Sequence, residues 1–233
     1  MLKWTLFLMA LFFLVIQGNA FAGINEGFIA FEKGDYKTAI KEWKPLAEKG
    51  NSGAQYNLGA MYANGQGVSQ DYQQAFKWYG KAAEQGDATA QYNLGAMYAN
   101  GQGVSQDYQK AVKWYRKAAE QGDATAQNNL GSLYENGQGV PQDYGKAAQW
   151  YKKGAEQGDA TAQYHLGIMY ASGEGVPQDN KEAYSWLNAS ALQGNTDAVD
   201  QQEILAERMT PSEIDEALEL SKEYGKKTAK KKE

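Results

Sequence analysis

Apolar residues recur along this chain with a helical period. Ala90, Leu94, Met97 and Tyr98 stand at i, i+4, i+7 and i+8, which puts them on one face of a helix. Tyr108, Ala111, Trp114, Tyr115 and Ala118 give a second helix the same kind of stripe, and the period-two alternation of a half-buried strand is absent. Gly101 and Gly103 turn the chain between the two stripes, with Val104 placed to plug the gap beneath. Asp107 is a candidate N-cap for the second helix, as are Asp71, Asp143 and Asp179 at equivalent places. Gly86 followed by Asp87 marks a helix end and the cap of the next helix.

The pair of stripes is itself repeated. Residues 54–73 and 90–109 are the same twenty letters, 36 positions apart. A step of 36 also links Gly50, Gly86, Gly122, Gly158 and Gly194, and Leu58, Leu94, Leu130 and Leu166. Ala54, Tyr62 and Trp78 head equivalent series. Repeats of this length mean a solenoid, in which each hairpin leaves an apolar face that only the next hairpin buries. Ala90, Gly95 and Ala111 are small enough to let helix backbones approach closely. The expected fold is all-α: a right-handed α-α superhelix of 36-residue helix–loop–helix repeats, closed by a C-terminal capping helix.

The ends depart from the repeat. Residues 23–49 read as a tetratricopeptide-like hairpin with a shorter connection at Lys33-Gly34-Asp35, and residues 50–194 as four full repeats. Residues 195–225 read as capping helices. In them Thr210-Pro211-Ser212-Glu213 offers a capping box, and Ile214, Ala217, Leu218 and Ser221 follow at helical spacing. That last helix is expected to lie across the open end of the stack. The lysine-rich residues 226–233 are expected to be a disordered tail. At the other end Lys3, the apolar run Leu6 to Ile16 and the small-x-small ending Ala20-Phe21-Ala22 form a signal peptide over residues 1–22. The run is shorter than the ~20 residues of a spanning helix, so no stable membrane insertion is expected after cleavage.

Composition narrows the setting. The chain has no cysteine, which excludes thiol nucleophiles and thiolate metal sites and, with export, points to a bacterial periplasm, with secretion the alternative. The formal charge is −5. Removing Lys3 gives −6, and since the stretch from Lys222 has six lysines against two glutamates, residues 23–221 carry −10. An acidic body repels phosphate backbones, so nucleic acid is not an expected partner.

The pattern A-x-x-x-L-G-x-x-Y, G-x-G-V, D-Y-x-x-A-x-x-W-Y-x-x-A-A-E-x-G resembles the Sel-1-like repeat family, cousins of the tetratricopeptide repeats. Here it is carried by Ala90, Leu94, Gly95, Tyr98, Gly101, Gly103, Val104, Asp107, Tyr108, Ala111, Trp114, Tyr115, Ala118, Ala119, Glu120 and Gly122. Departures are few: Asn128 stands where Tyr56, Tyr92 and Tyr164 do, and Gly154, Ser190 and Asn180 replace an alanine, an alanine and a tyrosine. The resemblance implies adaptor and scaffold roles.

No catalytic, cofactor-binding or metal-ligating constellation emerges. The G-Q-G-V-S-Q stretches lack the lysine and preceding strand of a phosphate loop. His165 is the only histidine, and its equivalents are Asn57, Asn93 and Asn129. The recurring acid pairs read as caps, and the tryptophans, in phase with alanines, as core. The expected function is a non-enzymatic exported adaptor that binds a protein or an extended peptide on the concave side, lined by the first helix of each hairpin. The candidate partner-binding residues are Tyr56, Asn57, Ala60, Tyr92, Asn93, Ala96, Asn128, Asn129, Ser132, Tyr164, His165 and Ile168. Asparagine amides suit a peptide backbone, and tyrosine adds contact area at low entropic cost. The alternatives are a self-associating structural envelope protein and, behind it, a cell-wall hydrolase.

Overall fold

Each apolar stripe becomes a helix of about three turns. The computed structural model describes residues 23–232, so the expected signal peptide lies outside the described residues. Helix α1 covers residues 23–32. It is followed by α2 (Tyr36–Glu48), α3 (Ser52–Asn64), α4 (Tyr72–Glu84), α5 (Ala88–Asn100), α6 (Tyr108–Glu120) and α7 (Ala124–Asn136). Then come α8 (Tyr144–Ala155), α9 (Ala160–Ser172), α10 (Asn180–Ala191), α11 (Thr196–Ala206) and α12 (Pro211–Lys232). No strand occurs among the described residues. The architecture is an all-α tandem array of helical hairpins. It divides into two compact units, one ending at Gln106 and one starting at Asp107.

The expected caps form. The Asp71, Asp107, Asp143 and Asp179 side chains accept from backbone N–H groups at the starts of α4, α6, α8 and α10, and Asp87 does the same for α5. Such caps contribute about 1 kcal/mol each. At the start of α12, Thr210 N donates to Glu213 Oε2 at 2.8 Å and Glu213 N to Thr210 Oγ1 at 3.3 Å, the reciprocal capping box. Gly103 holds φ +70° where the loop after α5 passes over Tyr72 so closely that a Cβ would strike the Tyr72 carbonyl.

Packing within each unit follows the repeat, as α3 packs on α4, α7 on α8 and α9 on α10, and each first helix also packs on the second helix before it. Leu58, Leu130 and Leu166 are at most 1% exposed, and burying each contributes ~1.5–3 kcal/mol. The glycine after the leucine exists because an aromatic ring lies on the helix there. A Cβ on Gly59 would sit 2.6 Å from Tyr79 Cδ1, and one on Gly131 would sit 2.8 Å from Tyr151 Cδ1. Leu187 takes the tyrosine's place opposite Gly167.

The tryptophans depart from the expected core role. Trp78 and Trp186 are buried, but Trp114 and Trp150 are only partly so. A lysine one turn on lies over each of the first three rings: Lys81, Lys117 and Lys153 hold their ammonium groups 4.5, 4.3 and 3.9 Å from the ring centroids of Trp78, Trp114 and Trp150. The fully packed aromatic is the next residue, Tyr79, Tyr115 or Tyr151.

That lysine is Ala189 in the last repeat, and α12 supplies the missing cover. Tyr224 lies flat on Trp186, centroids 3.9 Å apart, and its hydroxyl donates to Glu182 at 2.7 Å, the carboxylate that also accepts from Trp186 Nε1. Helix α12 therefore docks along α10, with Ala217 and Ser221 buried and Ser185 Oγ donating to Ala217 O. Val199 and Ile204 of α11 stay exposed. The helix also runs on to Lys232, through the residues expected to be disordered. Lysine is a good helix former, and positive charge near a helix C-terminus is favourable. Among the described residues no helix is long and apolar enough to cross a membrane.

Candidate functional site

Two polar features line the first helices. One is a ladder of glutamines that the sequence reading passed over. Gln55, Gln91, Gln127 and Gln163 are buried, and each donates to a carbonyl near the end of the preceding second helix, Ala47, Ala83, Ala119 or Ala155, at 2.9–3.1 Å. Gln85, Gln157 and Gln193 in turn donate to Gln55, Gln127 and Gln163 at 2.6–2.8 Å. These bonds give each of those carbonyls a second donor, beside the backbone N–H of Gly50, Gly86, Gly122 or Gly158, and tie one hairpin to the next.

The other is a cleft in the first unit. A cavity of ≈ 240 Å³ opens between α3, α4 and α5, lined by Tyr56, Ala60, Ala63, Asn64, Tyr72, Tyr79, Asn93, Ala96, Met97 and Gln102. Four expected partner-binding residues, Tyr56, Ala60, Asn93 and Ala96, therefore meet in one place. Alanines give the cleft its depth, and the ring of Tyr79 forms part of its wall. Burial raises the Tyr79 hydroxyl's pKa above its ordinary value, with Tyr56 adding to the effect. The rings of Tyr56 and Tyr79 lie 5.7 Å apart. Among the described residues the Tyr79 hydroxyl has no hydrogen-bond partner. Asn93 uses one amide hydrogen on Thr89 O at 2.8 Å, and Tyr72 accepts from Gln70 Nε2 at 3.0 Å, which leaves its own hydroxyl proton to donate.

The equivalent positions of the second unit are occupied differently. Glu135 stands where α3 has Ala63, and its Oε2 accepts from the Tyr151 hydroxyl at 2.5 Å. His165 lies on the Tyr151 ring at 4.8 Å, nearly parallel, with Tyr164 edge-on to it at 5.4 Å. Burial lowers the His165 pKa, against a weaker opposing pull from Glu135 and Asp159. Burial likewise raises the Asp159 carboxyl and, with help from Glu135, the Tyr151 hydroxyl. The only histidine is therefore a neutral ring packed on an aromatic wall.

The remaining candidates spread out. Asn57 and Asn128 are each only 8% exposed, and Asn57 Nδ2 and Asn128 Oδ1 lack partners. The open surface expected of their amides is absent. Asn129 and Tyr92 are partly exposed. Ser132 accepts from Asn136 Nδ2 on its own helix. Ile168 lines a separate apolar cleft of ≈ 230 Å³ with Leu187, Ile204 and Leu205. Tyr79, Tyr151 and Glu135 were not among the expected site residues. Glu135 was visible as the one break in the series Ala63, Ala99, Ala171.

The repeat is matched by a known family model, described as "Sel1 repeat", over residues 52–87, 88–123, 124–159 and 160–195. Among solved structures, the chain is similar to a protective antigen of uropathogenic Escherichia coli strains that displays an SLR fold. The identity is 38% and the TM-score 0.80, over 92% of this chain and 46% of that one. It is also similar to a Sel1 repeat protein from Oxalobacter formigenes, at 41% identity and TM-score 0.66, over 72% of this chain and 49% of that one. A putative Sel1 repeat protein from Klebsiella pneumoniae is 26% identical with TM-score 0.51, over 80% and 93% of the two chains. The chain thus spans about half the length of the first two structures. No curated protein shows significant similarity to it.

Proposed function

Because the chain belongs to the Sel1 repeat family, whose members are generally protein–protein interaction scaffolds, we propose that it is a non-enzymatic adaptor. It binds a segment of another protein on the surface made by the first helix of each hairpin. The observation that carries this reading is the first-unit cleft, where Tyr56, Ala60, Asn93 and Ala96 converge around a buried tyrosine whose hydroxyl is unused. A depression of ≈ 240 Å³ takes one side chain rather than a drug-sized ligand, so docking of an extended segment fits it better than small-molecule binding. The adaptor acts after export, in the periplasm. This is supported by the Leu6–Ile16 apolar run, the Ala20-Phe21-Ala22 ending and the lack of cysteine.

Co-purification from envelope fractions tests the binding. Ala96→Trp fills the cleft and should remove a specific partner that the wild type retains, while Lys77→Trp on exposed α4 should not. Equal recovery from both variants defeats the reading. Export is tested separately by intact mass: the periplasmic form should begin at Gly23, and a protein retained in the cytoplasm at full length contradicts it.

A further inference from the structure

The internal repeat contains its own control for what the first-unit cleft accepts. Tyr79 and Tyr151 are equivalent residues on equivalent helices, both at most 5% exposed. The Tyr151 hydroxyl is satisfied by a carboxylate from its own chain, Glu135, at 2.5 Å. The Tyr79 hydroxyl faces Ala63 at that position and has no partner among the described residues. Three neighbouring positions differ as well. Ala60 and Ala96 become Ser132 and Ile168, and Asn93 becomes the His165 ring stacked on Tyr151. Against this, Tyr56 beside Tyr79 becomes the smaller Asn128.

Building on the docking reading above, we propose that the first-unit cleft receives a carboxylate, an Asp or Glu side chain on an extended segment of a partner protein. Tyr79 is its hydrogen-bond donor, and Glu135 is the intramolecular counterpart of that ligand. The lining agrees in its chemistry. Among the described residues it has no acidic side chain, and it offers hydrogens to an acceptor: the Tyr72 hydroxyl, the second amide hydrogen of Asn93, and the amides of Asn64 and Gln102, which carry an oxygen as well. Hydrogen bonds to an ionised acceptor are about twice as strong as neutral ones, so such a lining favours a carboxylate over an amide or an alkyl group. The cleft holds no lysine or arginine, and the body carries net negative charge. Long-range electrostatics therefore oppose the approach of an acidic segment, and binding should strengthen as salt screens that repulsion.

The test is an NMR titration of the full-length exported form, ¹⁵N-labelled, with Ac-Ser-Glu-Ser-NH₂, Ac-Ser-Gln-Ser-NH₂ and Ac-Ser-Leu-Ser-NH₂. The Glu peptide is expected to shift amides around Ala63, Tyr79 and Asn93, to leave those around Glu135 and Tyr151 in place, and to bind about tenfold tighter than the Gln peptide. Tyr79→Phe, which keeps the ring, should weaken the Glu peptide about tenfold. Ala63→Glu installs the internal carboxylate in a frame that the third repeat shows can hold it, and should abolish the shifts with the circular dichroism spectrum unchanged. Equal binding of the Gln or Leu peptide, or undiminished binding by Tyr79→Phe, overturns the assignment. If no peptide binds while a crosslinker at residue 96 still captures a discrete partner, the carboxylate falls and the docking reading stands. If the Glu peptide binds and the crosslinker captures nothing, docking of a protein segment falls alone.

Discussion

One substitution, Gly→Ala, should have opposite effects at two helix positions in the first unit. At Gly59 in α3 the new methyl would sit 2.6, 2.8 and 3.0 Å from Tyr79 Cδ1, Cε1 and Cγ. These are ring atoms of a side chain only 5% exposed, so the ring must leave its packed position to admit the methyl. Overpacking of this kind costs about 1–3 kcal/mol, while the helix-propensity gain of alanine over glycine returns about 1 kcal/mol. Gly59→Ala should therefore destabilise the unit by up to roughly 2 kcal/mol as the difference of those two effects. At Gly80, inside α4, a Cβ meets nothing within 4 Å, so Gly80→Ala keeps only the propensity gain and should stabilise by ~0.5–1 kcal/mol. Urea unfolding followed by circular dichroism reads both. With slopes of about 1–3 kcal/mol/M, the midpoint should fall by up to about one molar for Gly59→Ala and rise by a few tenths for Gly80→Ala. Shifts of the same sign in both variants would refute the claim that the glycine is there to admit the tyrosine ring.

Three further outcomes follow from the same geometry. Gln127→Leu removes the side-chain donor to Ala119 O and the acceptor of Gln157, and should cost about 1–3 kcal/mol in denaturant unfolding, at ~0.5–1.5 kcal/mol for each of the two lost hydrogen bonds. Tyr224→Ala should cost ~1.5–3 kcal/mol of α12 docking, red-shift the Trp186 fluorescence and speed amide exchange in α12. His165 is held neutral by burial, so protonation below its ordinary pKa of ~6.5 favours the unfolded chain. Its contribution is present above pH ~6.5 and is lost as the pH falls towards the depressed folded value, with a slope of at most ~1.4 kcal/mol per pH unit. His165→Asn, which restores the residue of the other repeats, should flatten stability between pH 7 and 5.5, and an unchanged slope in denaturant midpoints contradicts this.

The period of 36 made the hairpins, their caps and the Thr210–Glu213 capping box readable, because each is specified by residues near one another in the chain. Which aromatic is buried was less readable. Trp114 and Tyr115 are neighbours on one stripe, and helical phase alone does not say which of them lies deeper. The docking of α12 depended on Ala189 replacing a lysine, a departure that gains meaning only when Tyr224 is seen to cover Trp186. The cleft was half readable. Four of its residues follow from helical phase, but Tyr79 comes from the other helix of the hairpin, and its free hydroxyl becomes informative only beside the Tyr151–Glu135 pair. Asn57 and Asn128 misled because helical phase gives a direction and not a depth.

The most direct test of partner docking on the first-helix surface is site-specific photo-crosslinking in intact cells, with a benzophenone amino acid at residue 96 in the cleft and, separately, at residue 77 on exposed α4. Docking there predicts one discrete protein adduct from residue 96, identified by mass spectrometry and lost when Ala60→Trp is added, with none from residue 77. The same adducts from both positions, or an adduct from residue 77 alone, would contradict it.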